Sequence, residues 1–153
     1  MAICNDIKLL RSDLREAFLK MKQEALELYG ITIIAFETIR SEAVQQAYYM
    51  QGRKPLAEVN TARINAGLHT ITEEENKRKI TNSNKSIYHG TGRAVDIVIV
   101  RYEGKRQILV WNAPFEAWKK IADIGIKYGL TWGGQFQDVN GKPLKDYGHY
   151  QVE

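Results

Sequence analysis

The most apolar stretch of the chain, Ile97–Val100, begins directly after an aspartate, Asp96. Four consecutive β-branched residues predict a strand that is buried in the core. Because an unpaired charge is costly to bury, the Asp96 carboxylate at the start of this strand requires a partner. That partner is either a metal ion or a cation in a buried salt bridge, for example Arg93 or Arg40.

The rest of the chain alternates between helical and extended patterns. Periodicity, capping residues and turn residues predict a helix over 6–29, a strand over 31–39, a helix over 41–51, a hairpin with strands over 94–101 and 107–111, and a helix opened by Pro114. The segment 55–84 is polar and charged, and a capping box at Thr72 and Glu75 marks a short helix within it. We therefore expect an α+β fold, with helices packed on a small, mainly antiparallel sheet.

Composition excludes several classes of protein. The chain has 153 residues, of which 44% are hydrophobic and 26% charged, and this suits a single domain over 1–153. One cysteine, Cys4, excludes an internal disulfide framework and fits a reducing compartment. No signal peptide and no stable membrane association are expected, because no long apolar run is present. The net charge of +4 is spread out, and without a basic stripe nucleic acid is not an expected partner.

A histidine precedes the buried aspartate, and a second polar cluster follows far along the chain. His89 lies seven residues before Asp96, with glycines between them that allow a sharp bend. Asp146 and His149 lie near residue 153, and Gly148 between them permits both to face one cavity. A lone histidine is most often structural, but two histidines with a carboxylate form the ligand set of a catalytic zinc. Asp146 then suits a general base better than a ligand.

These residues and their spacing resemble a known superfamily. The pattern Ser86-x-x-His89-x-x-Gly92-x-Ala94-x-Asp96, followed by Asp146-x-x-His149, looks like the zinc peptidases that cut bacterial peptidoglycan. That superfamily includes D-alanyl-D-alanine carboxypeptidases and dipeptidases, and the phage L-alanyl-D-glutamate endopeptidases called endolysins. The segments 37–53 and 130–134 resemble the phage enzymes as well, so the likeness runs from about residue 6 onward. It implies a Hedgehog/D-Ala-D-Ala-peptidase-like fold.

The resemblance also implies a role for each matching position. Zinc would be bound by His89, Asp96 and His149. Asp146 would be the general base, at a position where many relatives have glutamate. Arg40 would stabilise the oxyanion or hold a substrate carboxylate, and the alternative is a structural ion pair with Asp96 or Glu37.

Three further residues are expected around the substrate. Gln45 would orient the substrate, unless it is an ordinary surface glutamine. Ser86 would hydrogen-bond to a metal ligand or to the loop backbone, and Trp132 would line the cleft or pack in the core. The segment from about Pro55 to Lys79 is longer than in typical phage relatives, so we interpret 55–84 as a lid-like insertion whose histidine, His69, is on the surface.

Taken together, the resemblance implies a zinc-dependent peptidoglycan hydrolase. The expected reaction is cleavage of the L-alanyl-D-glutamate bond of the stem peptide by a monomeric, bacteriolytic endolysin of a phage or prophage. Such an enzyme would wait in the host cytoplasm until a holin-type pathway releases it. One alternative is a D,D- or L,D-carboxypeptidase of peptidoglycan, and another is a non-catalytic, metal-containing wall-binding module.

Overall fold

The computed structural model describes residues 3–81, 83–85 and 87–153. The α-helices are α1 (Ser12–Tyr29), α2 (Glu42–Met50), α3 (Leu56–Asn65), α4 (Ile87–Gly90) and α5 (Phe115–Lys127). The strands are β1 (Thr32–Glu37), β2 (Ala94–Glu103), β3 (Arg106–Val110), β4 (Thr131–Trp132) and β5 (His149–Gln151). Short 3-10 helices span Ile7–Leu9, Glu75–Lys77 and Gly133–Gln135. The predicted α+β class is confirmed.

Strand β2 is the centre of an antiparallel sheet. One of its edges pairs with β1, and its other edge is shared by two strands. The hairpin partner β3 takes the second half of that edge, from Ile99 to Glu103, while β5 takes the first half, from Ala94 to Asp96. Strand β4 then pairs with β5. Asp96, the third residue of β2, therefore has β1 on one side and β5 on the other.

Alternation along β2 separates the main core from the other face of the sheet. Val95, Ile97 and Ile99 are buried in the core, together with side chains of α1 and α5 such as Phe18 and Ile121. Because successive strand residues point to opposite faces, Asp96 points away from this core. The same alternation in β5 buries Tyr150 in the core and leaves His149 and Gln151 on the face of Asp96.

A β-bulge in β1 places a second acidic side chain on that face. The register pairs Ala35 with Ile97, but after the bulge at Phe36 it pairs Glu37 with Asp96. An extra residue in one strand shifts the following side chains by one position, so Glu37 joins the face of Asp96 instead of entering the core. Three polar side chains, Glu37, Asp96 and His149, thus lie side by side across the sheet.

The element bounds differ from the sequence-based predictions in a few places. The helix expected over 6–29 is interrupted, because Leu10 is extended and Arg11 donates its backbone N–H to the Gly92 carbonyl at 2.8 Å. The hairpin, the Ser41 cap of α2 and the Thr72–Glu75 capping box are present. Among the described residues, no helix combines the length and apolar character that crossing a membrane requires.

The buried hydroxyl of Tyr150 leads to a prediction about stability. No described residue hydrogen-bonds to this hydroxyl, and burial raises the pKa of Tyr150 far above its usual range. A buried polar group without a partner costs about 1–3 kcal/mol. We therefore expect Tyr150→Phe to raise the free energy of unfolding, by about 1 kcal/mol, in a thermal or urea denaturation experiment.

Tyr128→Phe is the matched control. The Tyr128 hydroxyl donates to the Glu24 carboxylate, so the same change at this position removes a hydrogen bond and is expected to lower stability. A clear loss of stability in Tyr150→Phe, equal to that of Tyr128→Phe, would contradict the prediction.

Candidate metal centre

Three separate parts of the chain contribute side chains to one point. Asp96 lies at the beginning of β2, and the β2–β5 register puts His149 directly opposite it. His89 comes from the short helix α4, whose backbone is tied to the end of β1 because Arg40 donates its N–H to the His89 carbonyl at 3.2 Å. One ligand atom from each of the three side chains lies within 4.8 Å of the other two. The predicted metal-binding residues are therefore close together in the structure.

Hydrogen bonding on the far side of the ring fixes the orientation of His89. Its Nδ1 lies 3.0 Å from the Thr38 carbonyl oxygen. A carbonyl can only accept a hydrogen bond, so Nδ1 carries the proton and Nε2 has a free lone pair. That Nε2 lies 3.4 Å from Oδ2 of Asp96.

The orientation of His149 is also fixed, but here the protonated nitrogen is Nε2 and not Nδ1. Its Nε2 lies 2.7 Å from the amide oxygen of Gln151, whose amide nitrogen donates to the Glu153 carboxylate at 3.0 Å. The carboxylate accepts only, so the Gln151 oxygen is the atom that faces His149, and Nε2 is the protonated nitrogen. The Nδ1 lone pair then faces Oδ1 of Asp96 at 3.1 Å.

Two imidazole lone pairs thus converge on one carboxylate. Contacts between acceptors at these distances are repulsive unless a proton or a metal ion lies between them. A proton shared between His149 and Asp96 can play this part. Burial disfavours charge on both groups, but their mutual hydrogen bonding prevails, lowering the pKa of Asp96 below its usual range and raising that of His149. Two imidazole nitrogens and a carboxylate oxygen fit a zinc ion with an open fourth position.

Arg40 is part of a buried charge network beside the centre. Its Nη2 lies 3.1 Å from Oδ2 of Asp96, and its Nε and Nη2 bind Oε1 of Glu37 at 3.0 and 2.5 Å. The other Glu37 oxygen accepts a bond from the Tyr48 hydroxyl at 3.1 Å. Of the two arginines considered as salt-bridge partners for Asp96, Arg40 fills that position, while Arg93 lies over the ring of Tyr88.

Asp146 lies at the edge of the centre. Its Oδ2 is 4.0 Å from Nδ1 of His149. Partial burial and the nearby charge of Asp96 raise the pKa of Asp146 above its usual range. Its backbone is tightly packed, because a Cβ on Gly133 would lie 2.5 Å from the Asp146 carbonyl oxygen, and one on Gly148 would lie 2.6 Å from that of Ile97.

Of the two alternatives for Trp132, the structure shows packing in the core and not lining of the cleft. Trp132 is 2% exposed and packs in the core against Phe115 and Tyr147. Its indole N–H donates to the Tyr147 carbonyl at 2.8 Å, next to Asp146. The side chain therefore positions the backbone beside Asp146, and the aromatic ring that lies beside His149 is Phe136, with ring centroids 5.5 Å apart.

Gln45 is neither exposed nor directed at open solvent. It is 2% exposed, accepts a bond from Nη1 of Arg40 at 2.8 Å and donates to the Ser83 carbonyl at 2.6 Å. It therefore connects Arg40 to the end of the segment 55–84. His69 is exposed, as expected. Ser86 lies outside the described residues.

The end of the segment 55–84 lines a cleft at the centre. The cleft has a volume of about 940 Å³, and His89, Asp96 and His149 line it. Residues 79–81 and 83 of that segment border the cleft, together with residue 85. The other side of the cleft includes Asp146 and Phe136.

Sequence reasoning did not place two residues at the centre. Glu37 was considered only as an ion-pair partner of Arg40, because its position opposite Asp96 depends on a bulge that no residue pattern marks. Gln151 was missed although a signal was available: residues two apart in a strand share a face, so Gln151 had to lie beside His149.

Comparison with known proteins places this geometry in context. Residues 81–152 match the model of a family described as D-alanyl-D-alanine carboxypeptidase. The L-Ala D-Glu endopeptidase ChiX of Serratia marcescens has a similar fold, with a TM-score of 0.54 and 20% identity over 96% of this chain and 83% of that one. The predicted resemblance to the zinc peptidoglycan peptidases is confirmed. All three candidate ligands, His89, Asp96 and His149, lie within the residues that match this family.

A second solved structure has the same fold. The vancomycin resistance D,D-pentapeptidase VanY of a VanB-type resistance cassette, in complex with Zn(II), has a TM-score of 0.53. It is 14% identical, over 94% of this chain and 72% of that one. No curated protein sequence matches the chain significantly.

The Gln151 amide provides a test of how His149 is oriented. Gln151→Leu removes the acceptor for Nε2–H, so the ring is no longer held with Nδ1 toward Asp96. Outer hydrogen bonds of this kind change metal affinity by about 10- to 100-fold. We expect zinc affinity, measured by competition with a chelating dye, to fall by about tenfold or more.

Gln135→Leu, at an exposed glutamine, is the control and is expected to leave zinc affinity unchanged. Equal zinc affinity in Gln151→Leu and the unaltered protein would show that the amide does not orient the ligand.

Removal of zinc is expected to lower both activity and thermal stability. Without the ion, the converging groups lose the charge that holds them together. A ligand present at about 100 times its Kd contributes about 2.7 kcal/mol, so we expect chelation to lower Tm by several degrees in differential scanning calorimetry. In His89→Ala the same chelator should change Tm little. Full activity after metal analysis confirms complete removal would contradict a zinc mechanism.

Proposed function

We propose that the chain is a zinc-dependent peptidoglycan hydrolase of the endolysin type, which cleaves the L-alanyl-D-glutamate bond of the stem peptide. The observation that supports this best is that three potential metal ligands, His89, Asp96 and His149, line a cleft. Asp146 lies beside them. A metal site with an adjacent carboxylate in a cleft of about 940 Å³ suits hydrolysis better than binding alone.

In this proposal three side chains hold the zinc ion: His89 through Nε2, His149 through Nδ1, and Asp96 through its carboxylate. When bound, zinc would lower the pKa of a water molecule and polarise the scissile carbonyl. Asp146 takes a proton from the attacking water at its carboxylate and returns it to the nitrogen of the leaving amine. The raised pKa of Asp146 favours the first transfer, because it makes the carboxylate a stronger base.

Arg40 supports the reaction from the side of Asp96. Its guanidinium lies in the cleft and can stabilise negative charge on the carbonyl oxygen. Glu37 and Gln45 hold three of its nitrogen atoms in place, so the group is oriented before substrate arrives. The pairs with Asp96 and Glu37 and the role in catalysis are therefore compatible.

A D,D- or L,D-carboxypeptidase of peptidoglycan is the second candidate. The description of the matching family and the fold shared with VanY favour it. Digestion of purified muropeptides followed by mass spectrometry separates the two activities. Release of L-alanine-linked glycan and a peptide that begins with D-glutamate supports the endopeptidase, whereas release of D-alanine alone contradicts it.

The biological setting in the proposal is that of a phage or prophage lysin. The enzyme would act as a monomer on the stem peptide of the wall, after release from the host cytoplasm by a holin-type pathway. The net charge of +4 would favour its approach to an anionic wall.

Asp146→Asn tests the proposed base. The amide retains the size of the side chain but cannot accept the proton, so we expect kcat to fall by about 10²- to 10⁴-fold. Zinc content and wall binding should remain. Asp146→Glu, which restores a carboxylate, is expected to retain measurable activity in the same muropeptide assay.

Asp123→Asn, in an exposed pair with Lys119 on α5, is the control and should leave kcat unchanged. The assay also addresses the third candidate, a non-catalytic wall-binding module. If the unaltered zinc-loaded protein binds the wall but cleaves no muropeptide, or if Asp146→Asn retains full activity, the catalytic proposal is wrong.

A further inference from the structure

Three lysine side chains line the cleft around the metal centre. Lys79 lies near the end of the segment 55–84, Lys85 directly follows that segment, and Lys145 directly precedes Asp146. Among the described residues, none of the three ammonium groups lies in an ion pair. The carboxylates on the cleft floor, Glu37 and Asp96, are instead engaged by Arg40 and the two histidines. The cleft therefore presents cations that an anionic substrate could bind.

The backbone at Lys145 is unusual. Its φ of 56° is left-handed, and within the described residues no other non-glycine residue has a positive φ. Lysine rarely adopts this conformation without a constraint from its surroundings. The constraint is visible, because Gly133 packs directly against the Asp146 carbonyl and the Ile97 N–H donates to the Gly148 carbonyl at 2.8 Å. The backbone of Lys145, from which the side chain extends, is therefore held in a fixed position beside Asp146.

The chemistry of the proposed substrate places a carboxylate near this position. In the stem peptide, D-glutamate is joined to the next residue through its side-chain carboxyl, so its α-carboxylate is free. That carboxylate is attached to the same carbon as the nitrogen of the scissile bond. Because Asp146 returns a proton to this nitrogen, the α-carboxylate must lie close to the residues that flank Asp146.

We propose that Lys145 is a specificity-determining residue that binds the α-carboxylate of the D-glutamate on the leaving side of the scissile bond. This inference rests on the proposed endopeptidase function and adds a substrate requirement to it. Lys79 and Lys85 strengthen the positive potential of the cleft. The enzyme would then prefer stem peptides with a free D-glutamate over those in which this carboxyl group is amidated to D-isoglutamine.

A matched pair of peptides tests the proposal. One is N-acetyl-L-Ala-γ-D-Glu-L-Lys-D-Ala, and the other differs only by an amide at the α-carboxyl group. The values of kcat and KM would be measured for the zinc-loaded protein, Lys145→Met, Lys145→Arg and the control Lys142→Met. Lys142 is an exposed lysine that does not line the cleft. Zinc content and circular dichroism would establish that each variant is folded.

We expect the unaltered protein to prefer the free carboxylate by about tenfold in kcat/KM, as for a hydrogen bond between charged groups. Lys145→Met should abolish this preference, mainly through KM, while Lys145→Arg and Lys142→Met keep it. Equal cleavage of both peptides by the unaltered protein, or a preference that survives in Lys145→Met, would overturn the inference alone. Cleavage of neither peptide at the L-alanyl bond would overturn the proposed function and the inference with it.

Discussion

The electrostatic problem at Asp96 determines the rest of the centre. Two imidazole rings are each held by a hydrogen bond on their far side, so that their free lone pairs point at the same carboxylate. A cation is required between them, and Arg40 supplies part of the charge from one side. If the only requirement were to neutralise the charge of Asp96, the ion pair with Arg40 would meet it. The fixed orientation of both rings is what favours a metal ion.

The sheet brings these groups together through its pairing. Asp96 lies at the one position of β2 that pairs with β1 on one edge and with β5 on the other. The bulge at Phe36 turns Glu37 toward the same face, where it holds Arg40. The turn formed by Trp132, Gly133 and Gly134 then fixes the loop that carries Asp146. Packing, hydrogen bonding and charge therefore depend on one short stretch of strand.

Much of the fold and of the metal centre was predictable from the sequence. The remainder was not predictable, for physical reasons. Periodicity and capping predict the helices and the hairpin, because these signals are local. The convergence of His89, Asp96 and His149 was an expectation from spacing and resemblance, and the structure brings them together. The bulge, the break before α1 and the burial of Trp132 depend on contacts between distant segments. A tryptophan beside two glycines is compatible with a cleft or a core, and only tertiary packing decides between them.

The pairing of Asp96 with His149 also has a consequence for the order of folding. The hairpin β2–β3 joins residues close in sequence, whereas β5 returns to β2 after an excursion of 53 residues. Closing a long loop costs more chain entropy than closing a short one, so non-local pairings form late. The pairing of β1 with β2 is also non-local, since it joins Glu37 to Asp96. We therefore expect both β1 and β5 to pair with β2 after the hairpin has formed, so that competence to hold the metal is acquired late in folding.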